Sequence, residues 1–208
     1  DARAASILLE ISNPEVNMDA VKLEKVPKIA VYSPKSAQPW DDAVTLVLSY
    51  AEIPYKVIYD DEIVHGELHL YDWLHLHHED FTGQYGKFYG SYRNAKWYRD
   101  QVEEFEATAN RLGFSKVSEL KLAVALKIKE YTAGGGFLFS MCSGTDSYDI
   151  AISSEGIDIC ERMFDGDPAD PAAPNKIDFS RGFAFENYEL SMNPMEYEFS
   201  NIDGTPLH

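Results

Sequence analysis

Short apolar runs rich in β-branched and aromatic residues recur along this chain, separated by longer segments whose apolar residues return every three or four positions. The runs are Lys28–Ser33, Tyr55–Tyr59, Tyr71–His77, Phe137–Cys142 and a shorter Ile157–Cys160. Helical spacing occupies Asp41–Ala51, with an acidic first turn, Trp97–Leu112, ending before Gly113, and Ser118–Tyr131, closed before Gly134. Strands that are apolar on both faces must be covered on both faces. The pattern therefore predicts an α/β fold: a three-layer, doubly wound, mostly parallel sheet with helical crossovers.

Charge narrows the partners. The 208 residues carry 18 Lys plus Arg against 35 Asp plus Glu, a formal charge of −17, so the surface repels phosphate backbones and anionic head groups. No nucleic-acid partner is expected. The longest apolar runs fall far short of the roughly 20 residues that cross a bilayer, so no membrane-spanning segment is expected either. Two cysteines, Cys142 and Cys160, exclude a disulfide-scaffolded mini-protein and leave one conceivable bridge.

Residues 1–27 read as a helical lead-in, with apolar spacing over Ala4–Ile11 broken by Asn13-Pro14, and residues 28–208 as the α/β domain. The chain opens on Asp1 rather than Met, so an earlier segment is expected. Asn201–His208 closes no element, so the domain is expected to be incomplete at its C-terminus. His78–Asn94 reads as a long aromatic loop, Asp165–Pro174 as an acidic, proline-rich one, and Phe179–Phe199 as two further strands around Asn193-Pro194.

Ligands of open parallel sheets bind outside the carboxyl ends of the strands. That rule selects Ser33-Pro34, His77-His78-Glu79-Asp80 and Cys142-Ser143-Gly144. Cys142 ends an apolar strand just before a predicted turn and helix at Tyr148–Ser153, and Ser140-x-Cys142-x-Gly144 approximates a nucleophile elbow, where small neighbours tolerate a strained turn. A helix N-terminus beside it favours the thiolate. The plainer readings are an inert buried cysteine and a Cys142–Cys160 disulfide. His75, His77 and Glu79 share a strand face and could ligate zinc or iron, although substrate-orienting histidines are the simpler reading. Asp165, Asp167 and Asp170 lack the full spacing of a calcium loop and read as a solvated acidic surface. Tyr85, Tyr89 and the aromatics around them offer faces for a small molecule, peptide or glycan.

Four long blocks, KIAVYSPKSAQPWDDAVTLVLSYAEIPY, YDWLHLHHEDFTGQYGKFYGSYRNAKWY, GGGFLFSMCSGTDSYDIA and DICERMFDGDPADP, resemble a family of exported bacterial proteins labelled asparagine synthetase B. The resemblance implies a flavodoxin-like, class I glutamine amidotransferase-like fold of the trehalose-utilisation-like branch, with Cys142 on the nucleophile position. It also implies export to the periplasm or cell envelope, an envelope protein as a conceivable partner, and no cofactor. On this basis the catalytic candidates are Cys142, His77, His78 and Glu79, and the binding candidates Ser33, Ser143, Gly144, Asp146, Tyr85 and Tyr89. Ser140 replaces the first elbow glycine, and His77-His78 replace the glycines of the oxyanion hole. The alternatives are a non-catalytic binding or complex-subunit protein on the same scaffold, and an asparagine synthetase whose ATP loop would be Ser143-Gly144-Thr145-Asp146-Ser147, one glycine short.

Overall fold

A computed structural model describes residues 26–34 and 43–202. The expected lead-in helix, the acidic turn at Asp41 and Asp42, and the last residues of the chain lie outside the described residues. The sheet consists of β1 (Ile29–Tyr32), β2 (Tyr55–Ile58), β3 (Trp73–Leu76) and β4 (Phe137–Ser140), all parallel, in the order β2-β1-β3-β4. Its main helices are α1 (Ala43–Tyr50), α2 (Asp60–Val64), α3 (Lys96–Arg111), α4 (Val117–Ala133) and α5 (Ser143–Ser153).

Strand side chains alternate between two apolar layers, as the pleat requires. Ala30, Tyr32, Ile58, Leu74 and Leu76 face the larger layer with Ile63 of α2, Leu120, Val124 and Ile128 of α4, and Ile150 and Ile152 of α5. Ile29 and Val31 face the other, with Leu48 of α1 and the partly buried Trp73. Each fully buried aliphatic chain contributes roughly 1.5–3 kcal/mol, so the larger layer dominates the stability. At the sheet's edge β4 departs from the expected buried strand: Leu138 packs inward, while Phe137 and Phe139 are 57% and 41% exposed. Among the described residues, no helix is long and apolar enough to cross a membrane.

Three expected elements differ. Ile157–Cys160 is not a strand, because Asp158 Oδ1 accepts the Cys160 amide at 3.0 Å and turns the chain after Gly156. Phe179–Phe199 forms one 3-10 turn and the single antiparallel bridge Leu190–Ser200 rather than two strands. There the buried Asp149 carboxylate accepts the consecutive amides of Phe183, Ala184 and Phe185 at 2.6, 3.2 and 2.8 Å, which takes the donors a ladder would need. The His78–Asn94 stretch is compact rather than a free loop, with a 3-10 turn at Tyr85–Lys87, a helical turn at Tyr89–Tyr92, and Lys87 Nζ donating to Ser191 O and Asn193 O at 3.0 Å each.

Candidate functional site

The turn from β4 into α5 carries Cys142. Its backbone sits at φ 53°, ψ −150°, a conformation that side-chain-bearing residues adopt at a cost of about 1–3 kcal/mol. The thiol is exposed, and α5 begins at the next residue, five positions earlier than its sequence suggests. Ser, Gly and Thr are weak helix formers, and tertiary bonds hold them helical. Thr145 N donates to Cys142 O at 3.0 Å, and Thr145 Oγ1 to Ser140 Oγ at 3.1 Å.

The same turn clamps the segment after β3. Three consecutive carbonyls are held from α5: His77 O by Gly144 N at 2.9 Å, His78 O by Ser143 Oγ at 3.1 Å, and Glu79 O by Ser147 Oγ at 2.9 Å. Gly144 is required by this approach, since a Cβ there would lie 2.3 Å from His77 O. Gly144→Ala should therefore cost about 2–3 kcal/mol through overpacking, read as a lower urea midpoint. An unchanged midpoint would show that the clamp yields freely. Gly144 N is thus already engaged within the turn.

Met141 N donates to Leu76 O at 3.2 Å just past the last β3–β4 pair, Leu76↔Ser140, and beyond it the His77 carbonyl is taken by Gly144 N instead of continuing the ladder. The two imidazoles are joined Nδ1 to Nδ1 at 2.5 Å. Among the described residues no hydrogen bond joins Cys142 Sγ to either ring. His75 is fully buried, stacked on Phe139 with centroids 5.5 Å apart.

Glu79 lies deeper, beside a polar cluster at the carboxyl ends of β1, β2 and β3. Lys121 Nζ donates to Tyr32 OH and Tyr59 OH at 2.9 Å and to both Asp60 oxygens at 3.0 Å, and Tyr32 OH donates to Asp60. The Lys121 and Asp60 side chains are both 2% exposed. One ammonium thus serves Asp60, and the neighbouring Glu79 carboxyl makes no hydrogen bond among the described residues. Burial pushes the Glu79 carboxyl up to about 8; Lys121 pulls it down, and Asp60 and Asp80 push it further up. Burial likewise carries the Tyr32 and Tyr59 phenols well above their ordinary value.

A cleft of about 600 Å³ opens here, lined by Pro34 after β1, by His78, Glu79 and Asp80 after β3, and by the rings of Phe88 and Trp97. It lies where strand order reverses between β1 and β3. Comparison of the chain with protein-family models, with curated proteins and with solved structures finds no match. The site is therefore argued from its own geometry.

The candidate residues divide among these features. Cys142, Ser143 and Gly144 form the elbow, His77 and His78 stand beside it, and Glu79 floors the cleft. Ser33 is half-buried at the end of β1, its amide bonded to Ile58 O at 3.0 Å. Asp146 is buried in the first turn of α5, and Tyr85 is a core residue whose ring borders the cleft. Tyr89 packs edge-on against Phe164 with centroids 6.1 Å apart.

Both cysteines are free thiols, Cys160 buried with Sγ donating to Thr82 O at 3.3 Å, so no Cys142–Cys160 bridge forms. The histidine run forms no three-ligand cluster among the described residues. Asp158, Cys160 and Asp165 do converge, but Lys116 Nζ lies 2.9 Å from Asp165, 2.5 Å from Asp167 and 3.7 Å from Asp158 and supplies the positive charge. The acidic loop is thus paired rather than merely solvated, with Asp170 on Lys176.

Sequence reasoning missed Lys121, Asp60 and Gln101, while Phe88 and Trp97 fall among the aromatics it offered as a binding surface. A signal existed for the first: Lys121 falls on the apolar stripe of Val124, Ala125 and Ile128, where a lone cation needs a buried partner.

Proposed function

We propose that this chain is a cysteine-dependent amide or acyl hydrolase or transferase on a flavodoxin-like, class I glutamine amidotransferase-like scaffold, exported to the periplasm or cell envelope. The observation that carries the catalytic reading is the strained, exposed Cys142 at the β4–α5 turn. Strain of this kind persists only where surrounding structure enforces it, and it holds a side chain above the sheet, in reach of a substrate. The scaffold reading is supported by the parallel order β2-β1-β3-β4. Export rests on the resemblance alone.

In this reading the Cys142 thiol gives its proton to an imidazole of His77 or His78, and the sulfur attacks a carbonyl carbon. The Ser143 amide steadies the oxyanion, and the leaving amine or alcohol takes up the proton as the thioester forms. Water or a second nucleophile then cleaves the thioester.

Iodoacetamide alkylation tests it. Cys142 should react at neutral pH at least tenfold faster than a free thiol, with Cys160 protected by burial; reaction no faster than a free thiol would sink the nucleophile reading. Cys142→Gly should also be about 1–2 kcal/mol more stable than Cys142→Ala, because glycine adopts the turn without penalty.

A second reading, a non-catalytic binding protein, is favoured by the bond between His77 and His78, which ties each ring to the other rather than to the thiol. It predicts that Cys142→Ala leaves ligand binding intact. The asparagine synthetase reading draws less support, since its loop equivalent is helical with Gly144, Asp146 and Ser147 buried.

A further inference from the structure

The cleft has an unusual lining. Glu79, Asp80, Asp100 and Glu104 contribute four carboxyl groups, and among the described residues no Lys or Arg lines it. Three of the four are engaged: Asp80 accepts from Thr82 N, Thr82 Oγ1 and Gly86 N at 2.6, 2.7 and 3.0 Å, Asp100 pairs with Lys96 at 2.5 Å, and Glu104 has a partner as well. Glu79 is only 9% exposed and makes no carboxyl hydrogen bond among the described residues. Gln101 lines the same cleft, and its buried Oε1 has no partner. A sequestered acceptor without a donor, as Gln101 Oε1 is, costs about 1–3 kcal/mol unless a bound group satisfies it.

The walls state which group. Phe88 and Trp97 meet edge to face with centroids 5.6 Å apart, and Trp97 remains 47% exposed. Aromatic faces over a floor of acceptors favour an organic cation, which brings N–H donors to the carboxyl and amide oxygens and lays its charge against the rings.

The geometry points to this cleft as a binding site for a small organic cation, an alkylammonium or guanidinium compound whose nitrogen donates to Glu79 and whose stem lies against Phe88 and Trp97. This site stands apart from Cys142 chemistry: either can fail while the other holds. Glu79 is faced by Lys121 from α4, Asp60 from α2 and Asp80 from its own loop. Burial raises its carboxyl to about 8, so at pH 7 it holds a proton that an entering cation displaces.

Isothermal titration calorimetry with agmatine and cadaverine tests the assignment, with glucose and glutarate as neutral and anionic probes. Binding of at least one cation, at micromolar to millimolar dissociation constant, is expected, with neither control binding. Repeating the titration at pH 7 in buffers of different ionisation enthalpy should show close to one proton released per ligand. Glu79→Gln should weaken binding at least tenfold and abolish the proton release, and Trp97→Ala, an exposed change the fold tolerates, should weaken it three- to tenfold. Glu103→Gln, on the same helix but outside the cleft, should leave both unchanged. Binding of glucose in place of the cations, or equal losses in Glu103→Gln and Glu79→Gln as non-specific attraction to a −17 chain would give, overturns the assignment. So does the absence of binding by both cations.

Discussion

Lys121→Met should lower the unfolding free energy by about 3–5 kcal/mol at neutral pH, the largest loss expected of any single change outside the apolar layers. The ammonium reaches four oxygens with its three N–H donors in a buried setting, and its removal leaves the Asp60 carboxylate with one phenol donor and no counter-charge. Methionine keeps the volume and the fit against Tyr59 and Phe105, over whose rings Nζ lies 4.3 and 5.2 Å from the centroids. The loss is thus electrostatic rather than a cavity effect. Adding Asp60→Asn should recover a large part of it, because the uncompensated charge is then gone. Urea unfolding of the three variants measures both; a Lys121→Met loss under 1 kcal/mol would mean that the pair does not hold the strand ends together.

The second large effect is a pH dependence with an unusual sign. A native carboxyl near 8 against an unfolded value of 4.5 means that the folded chain binds more protons than the unfolded one between those limits. Stability from this group is fully present below pH 4.5 and is lost as pH rises through about 8. Glu79→Gln removes the titration. The variant should therefore gain on the wild type as pH rises, the gap between them changing by up to about 5 kcal/mol from pH 4 to pH 9. Because both chains share every other titrating group, the difference between their urea midpoints isolates Glu79. A gap that stays constant with pH would place the carboxyl in contact with water or with a cation in the folded state.

Strand and helix placement were legible because burial on both faces leaves a continuous apolar signature. Lys28–Ser33, Tyr55–Tyr59, Tyr71–His77 and Phe137–Cys142 each contain a strand of the sheet. Glu119 shows how boundaries shift by a residue or two: its Oε2 accepts from Ser115 N, Ser115 Oγ and Lys116 N at 3.0, 2.7 and 3.3 Å, so α4 starts at Val117 rather than Ser118. The segments after Ser154 were misread because their amides are taken by side chains, Asp158 and Asp149, whose reach no local pattern encodes. The tight turn after β4 was legible in the small residues around Cys142, although the helix after it begins five residues earlier than expected. The cleft was not, because Glu79, Gln101, Phe88 and Trp97 come from separate elements and meet only in the folded chain. Lys121 stood in plain view as a charge on an apolar stripe, but its partners are 61 and more residues away.

With the peptide oxygens of residues 77–79 all gripped from one helix, the base of the cavity moves as a single piece with the sheet and has little freedom to adjust to different guests. Discrimination between closely related compounds must then reside in the side walls, where Phe88 and Trp97, borne by separate stretches of chain, meet edge to face. Variation that retunes what this protein accepts belongs on those two rings, while change along the floor would alter whether it accepts anything.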